Sequence, residues 1–292
     1  MNQGQCLCGA IRYRTQGPYP WMIYCHCSMC RKHHGTLFGT DVGIAKENFQ
    51  WLRGEESIVH FRASSAFERP FCKHCGSAVP DVSADPVVCP AGTLAGELGT
   101  RPGAHIFVKS KSPLYDINDG VKQFDEYPSD FGVAMPESLP AAGRDNRLRG
   151  GCLCGDVAFE LEDRPTRLVH CHCSRCRRSR GGAYASNVFV TQDKLRWTRG
   201  AERVHTYKLP EAKEFFTAFC ERCGSLLPES IDAIGMYLIP VGVFDTAPPI
   251  ASRVHIYVGS KAPWVAIGDA APQFDRMPPR ERVAELMFDR PT

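Results

Sequence analysis

The residues with the most chemistry in them are sulfurs. The chain carries 15 cysteines in 292 residues, and all but Cys89 fall in short clusters. The stretch CHCSMCRKHHG places Cys25, Cys27 and Cys30 within six residues. CHCSRCRRSRGG repeats the pattern with Cys171, Cys173 and Cys176. Each half also has a CxC pair (Cys6 and Cys8; Cys152 and Cys154) and a CxxCG pair (Cys72 and Cys75; Cys220 and Cys223). A long chain with such close spacings reads as metal-binding in a reducing compartment rather than as a disulfide framework.

Seven sulfurs per half divide into four and three. A CxxCG knuckle offers two ligands, its glycine permitting the tight turn, and CxC offers two more. Cys6, Cys8, Cys72 and Cys75 thus make a closed four-sulfur zinc site, and Cys152, Cys154, Cys220 and Cys223 a second. Both tie the start of a half to its middle, which is a structural task. Cys25, Cys27 and Cys30, and likewise Cys171, Cys173 and Cys176, sit on one short loop and leave a tetrahedral corner open. Four zinc ions per chain follow. Three thiolates are strong donors, so such a site suits an incoming soft thiolate better than hydroxide chemistry. Arg31, Lys32, Arg177 and Arg178 follow the triads and are candidates to hold the carboxylates of an acidic thiol.

Histidine could instead close the triads as structural sites. His26, His33 and His34 are at hand in the first half and His172 in the second, and His105 and His255 recur in both. A histidine between two ligating cysteines usually points away from their ion, so His26 and His172 read better as hydrogen-bond donors to a sulfur. His105 and His255, in strand patterns, read as core or hydrogen-bonding residues, and Cys89 as a buried or free thiol.

The elements that position these groups come in duplicate. CLCG at 6–9 returns at 152–155, Trp51-Leu52-Arg53-Gly54 as Trp197-Thr198-Arg199-Gly200, and His105-Ile106-Phe107-Val108 as His255-Ile256-Tyr257-Val258. Gln123-Phe124-Asp125 returns as Gln273-Phe274-Asp275. Two homologous domains in tandem are implied, over residues 1–140 and 147–292, with Ala134 to Gly151 as the linker. Ala10 to Arg14, Ser57 to Arg62, Val157 to Leu161 and the two HI runs alternate as strands do. Helical periodicity is confined to a turn at Arg280 to Met287. The domains are therefore mainly β, built on small sheets stapled by metal.

Composition is that of a soluble globular protein, 43% apolar and 23% charged. No apolar run is long enough to span a bilayer. The N-terminus lacks a secretory pattern, which with the cysteine usage points to the cytoplasm. Zinc binding by thiolates lowers the formal charge of +3 to about −3, which argues against nucleic acid as a partner.

In the ordered pattern CxCG, CHCxxCR, CxxCGS and HI, the chain resembles the glutathione-dependent formaldehyde-activating enzyme family, which includes centromere protein V. The matching motifs are Cys6-x-Cys8, Cys25-His26-Cys27-x-x-Cys30-Arg31 and Cys72-x-x-Cys75-Gly76. Their second copies are Cys152-x-Cys154, Cys171-His172-Cys173-x-x-Cys176-Arg177 and Cys220-x-x-Cys223-Gly224. The resemblance implies two tandem zinc-stapled β-tent domains with a structural four-sulfur site and a three-sulfur site where glutathione binds. It implies a carbon–sulfur lyase that joins glutathione and formaldehyde reversibly as S-hydroxymethylglutathione. The partners would be a small thiol and an aldehyde. The alternatives are a metal buffer, or a non-catalytic zinc module contacting nucleic acid or protein through Arg175, Arg177, Arg178 and Arg180.

Overall fold

A computed structural model describes residues 1–65, 67–128 and 147–289. In the first half the strands are β1 (Asn2–Gln5), β2 (Arg12–Thr15), β3 (Met22–Cys25), β4 (Gly39–Ile44), β5 (Phe49–Arg53), β6 (Ile58–Arg62), β7 (Glu68–Cys72), β8 (Val87–Pro90), β9 (Ala104–Ile106) and β10 (Lys122–Gln123). Helix α1 (Ser28–His34) lies between β3 and β4. Strands β1, β2 and β5 form an antiparallel sheet. A five-stranded sheet runs in the order β10-β9-β3-β4-β8, and β6 and β7 make a hairpin.

The second half repeats this plan with β11 (Leu148–Gly151), β12 (Ala158–Leu161), β13 (Arg167–Cys171), α2 (Ser174–Arg180), β14 (Ala185–Thr191), β15 (Leu195–Arg199), β16 (Val204–Lys208), β17 (Phe216–Cys220), β18 (Glu229–Ile231), β19 (Met236–Pro240) and β20 (Ser252–Ile256). Its sheets are β11-β12-β15, β18-β19-β14-β13-β20 and the β16–β17 hairpin. Helix α3 (Arg280–Met287) follows and packs on β13 and β20.

Local patterning accounts for most of this. In β2, Tyr13 and Thr15 are buried while Arg12 and Arg14 are exposed, the alternation of a half-buried strand. Strand β4 is buried at all six positions, as befits the middle of a sheet covered on both faces. The mainly β reading holds, but the CHCxxC stretches are not short loops. Each opens a seven-residue helix, ended by Gly35 or Gly181 in the left-handed conformation. Residues 148–151 of the expected linker belong to β11. The domain boundary itself lies outside the described residues.

The two halves do not sit apart. The largest apolar cluster crosses between them, joining Leu37, Phe38 and Leu114 to Tyr184, Val241 and Trp264. The two CxxCG turns also meet. A Cβ on Gly76 would lie 2.4 Å from the Phe219 ring, and one on Gly224 would lie 2.4 Å from the Phe71 ring. Both glycines have positive φ. They are thus required twice, for the turn and for the partner's aromatic ring.

Candidate metal and thiol site

The four-sulfur groups assemble as the spacing implies. Cys6 and Cys8 Sγ lie 3.4 Å apart, and Cys8 and Cys72 Sγ 3.7 Å. Cys152–Cys154 and Cys154–Cys220 repeat both distances. A disulfide needs about 2.05 Å. Four sulfurs about 2.3 Å from a common zinc would be about 3.8 Å from one another, so the spacing fits an ion. Cys75 and Cys223 complete the two groups. The serine of each CxxCGS turn braces its site. Ser77 Oγ accepts the Leu7 N–H at 3.0 Å and lies 3.3 Å from Cys75 Sγ, and Ser225 makes the same contacts to Leu153 and Cys223.

Each triad also gathers, its sulfurs within 4.8 Å of one another. Cys25 ends β3, Cys27 caps α1 by accepting the Cys30 N–H at 3.3 Å, and Cys30 lies in the first turn. Cys171, Cys173 and Cys176 repeat the arrangement. No histidine nitrogen or carboxylate oxygen joins either triad among the described residues. His105 and His255 are engaged elsewhere, as the strand pattern implies. The Asp119 carboxylate accepts His105 Nε2–H at 3.0 Å, leaving His105 Nδ1 to accept His26 Nε2–H at 2.8 Å. Asp269, His255 and His172 form the same chain. His26 and His172 therefore do not donate to a sulfur. Their Nε2–H serves the other histidine, and their buried Nδ1 has no partner. Burial pulls both down to about 3, so they are neutral at pH 7. Asp119 and Asp269, 14 residues beyond their histidines, carried no sequence signal of this role. His170, His255 and Asp269 also cluster. Because His255 already uses both ring nitrogens, and His170 stacks on it at 4.7 Å, the group reads as a hydrogen-bonded core.

The four candidate cationic residues differ in placement: Arg31 and Arg177 lie within electrostatic reach of their triads, whereas Lys32 is engaged elsewhere. Lys32 Nζ donates to Gly151 O, Val243 O and Asp245 Oδ1 at 3.0, 3.3 and 2.8 Å, all in the other half. Arg31 lines a separate cavity between the halves with Lys111 and Asp245. Arg177 donates to Ser260 O at 3.3 Å, and Arg178 is half-buried.

The guanidinium at the first triad belongs to Arg69, on β7. Its Nη2 donates to Cys30 Sγ at 3.4 Å, and its buried Nε has no partner. Burial favours the neutral form, but Cys30, Cys27 and Asp41 outweigh it and hold the group charged. Asp41 is itself raised by burial, against the pull of His34 and Arg69. Arg69 and Asp41 line a cavity of about 580 Å³ with all three triad cysteines, Trp21, Phe67 and Tyr127. That volume lies within the range of about 300–1,000 Å³ usual for small-molecule sites. Gly43 lets the Trp21 indole lie against β4, since a Cβ there would meet it at 2.5 Å. Arg69 was missed because nothing local marks it. Aligning the halves offers the one hint: FERPFC has a charge three residues before its cysteine where FFTAFC has Thr217.

The sequence model for the glutathione-dependent formaldehyde-activating enzyme matches residues 1–110 and again 147–260. A putative glutathione-dependent formaldehyde-activating enzyme of Halomonas elongata is 33% identical over 84 residues, 26% of this chain and 53% of that protein. The chain thus spans about half the length of that relative. An uncharacterized lyase of Schizosaccharomyces pombe is 31% identical over 125 residues, 42% of this chain and 89% of that protein. A Rhodobacter sphaeroides protein of known crystal structure is 24% identical, covering 43% of this chain and 98% of that one, with a TM-score of 0.27. No described helix is long and apolar enough to cross a membrane.

Proposed function

Because the chain belongs to the glutathione-dependent formaldehyde-activating enzyme family, we propose that it makes and breaks the carbon–sulfur bond between a small thiol, glutathione in the first instance, and an aldehyde. The observation that carries this reading is the first-half cavity, where three sulfurs with no fourth protein ligand among the described residues meet a buried guanidinium. A zinc ion held by Cys25, Cys27 and Cys30 would supply a corner at which an incoming thiol stays deprotonated at neutral pH.

The chain's own residues do the rest. Three thiolates and one divalent ion leave a net −1, which the Arg69 guanidinium offsets without bulk water. The His26–His105–Asp119 chain is neutral at its first two members and holds the Cys25–Cys27 backbone in place. Trp21, Ile23, Phe67 and Ile106 give the cavity apolar walls. In the forward direction the thiolate sulfur attacks the aldehyde carbon. A C–S bond forms, the C=O π pair moves to oxygen, and the alkoxide takes a proton from water. Arg69, a charged residue of the cavity lining, is the donor for that developing oxyanion. Tyr127, kept protonated by burial among the same sulfurs, is a neutral neighbour rather than a competing anion.

Of the four arginines of the module reading, Arg175 is exposed and two are engaged within the chain. Arg180 is 7% exposed and spends Nη2 on Asn187, and Arg177 is held on Ser260. Exchange NMR of glutathione with labelled formaldehyde tests the proposal. The zinc-loaded chain, with four ions by metal analysis, should accelerate interconversion of free aldehyde and adduct. A fully loaded chain that neither accelerates exchange nor gains a sulfur at its metal on adding glutathione would end this reading.

A further inference from the structure

The second triad has a cavity of its own beside Cys176, and strand register matches it to the first. Cys25 pairs with Gly39 and Cys171 with Ala185, so Asp41 corresponds to Asn187. Asp81 bridges to Val88 as Glu229 pairs with Leu238, and each acid lines the cavity of its half. Three residues before the knuckle, Arg69 corresponds to Thr217, which donates its hydroxyl to Cys75 O at 3.1 Å. Arg180 supplies the guanidinium on the second cavity, and its Nη2 is committed to Asn187 at 2.9 Å. The second cavity therefore lacks the hairpin cation that offsets charge in the first.

It has a free acid instead. In the first half the Asp81 carboxylate accepts the Ser83 N–H at 2.9 Å and the Ser83 hydroxyl at 2.6 Å. Ile231 stands at the position of that serine in the second half, so the local tie is gone and Glu229 makes no hydrogen bond among the described residues. Burial raises its carboxyl to about 8, against the pull of Arg180, so it carries its proton at neutral pH. Arg180 and Cys176 from α2 and Glu214 from the β16–β17 turn are the other ionisable groups on this cavity. Cys173 and Cys176 are partly exposed, where Cys25, Cys27 and Cys30 are buried, so a thiol can reach the second triad from solvent. The cavity of about 130 Å³ is several times the share of one water, about 30 Å³, which leaves room for a small carbonyl group.

Resting on the thiol reading above, we propose that the second triad is a second working site and that Glu229 is its proton-transfer group. In the forward direction the thiolate sulfur attacks the aldehyde carbon and a C–S bond forms. The C=O π pair moves to oxygen, that oxygen takes the Glu229 proton, and the carboxylate regains one from solvent water. In reverse the carboxylate removes the hydroxyl proton, the C=O bond re-forms, and the sulfur leaves as thiolate. The two halves thus meet the same developing negative charge differently, with a fixed cation in the first and a proton in the second.

The test is breakdown of the adduct of glutathione and labelled formaldehyde by the zinc-loaded full chain carrying Cys27→Ser, which silences the first triad. Breakdown above the uncatalysed rate should persist, and should climb with pH until the Glu229 carboxyl has lost its proton. Adding Glu229→Gln should slow it by about 100-fold and flatten the climb, and Glu229→Asp should restore part of both. On cobalt-loaded chains the sulfur-to-cobalt charge-transfer band should respond to glutathione alike with and without Glu229→Gln. A response lost with Glu229→Gln would make the residue structural and overturn the proposal. So would an unchanged rate and pH profile, or no breakdown by the Cys27→Ser chain where the unaltered chain is active, and each of these leaves the thiol reading intact. No breakdown by any of them would sink both. Should Cys27→Ser not fold, infrared difference spectra of the unaltered chain decide. Adding the adduct should shift a protonated-carboxyl band that Glu229→Gln lacks, and an unshifted band would overturn the proposal.

Discussion

The two halves keep their four-sulfur sites alike and their three-sulfur surroundings different. Around the closed sites the sulfur distances, the serine brace and the glycine turn all repeat. Around the triads the backbone repeats, but the acid, the guanidinium and the apolar wall do not. A site that only holds metal depends on ligands supplied by its own backbone. A site that handles a substrate depends on the side chains facing its free corner, and those vary independently. The buried guanidinium makes the point: each triad has one nearby, from β7 in the first half and from α2 in the second.

The comparison can be broken most severely at a closed site. Cys72→Ser should unfold the first half, since the linked metal contributes on the order of 10 kcal/mol to folding in small zinc domains. Far-UV circular dichroism and metal content report the loss. A next, smaller break is the contact between the two turns. Gly76→Ala should cost about 3 kcal/mol in urea titration, because its Cβ would strike Phe219 and its φ is positive. Gly224→Ala should match it by the pseudo-symmetry, and a large disparity would deny that the turns are equivalent.

Arg69→Thr gives the first half the residue of the second. Exchange should slow by about 100-fold, and the melting temperature should fall, because Asp41 and the triad lose their buried counter-charge. A slowing of only twofold would leave Arg69 with a charge-balancing role alone.

The mildest effect is a pH dependence at Glu229. Burial raises Glu229 to about 8, against the pull of Arg180. An acid raised in the fold binds its proton more tightly there than in the unfolded chain. Stability is therefore full below the ordinary carboxylate pKa of about 4.5 and declines as pH rises towards 8. Glu229→Gln should flatten that decline in thermal melts between pH 5 and 8.

Much of this was legible in the residues. The cysteine clusters, their split into four and three, the duplication and the mainly β character all follow from local spacing, because metal ligands and strand alternation are set within a few residues of chain. Helices α1 and α2 were harder to see, since seven residues hold too few turns to display a period. Two features came only with the tertiary structure. Lys32 turned from a candidate substrate contact into an inter-half ion pair, because its neighbours are more than a hundred residues away in sequence. Arg69 reached Cys30 across 39 residues of chain. Sequence spacing determines which atoms can share an ion. Which side chains face the ion's free corner, and whether anything can reach it, depends on packing between segments far apart in the chain.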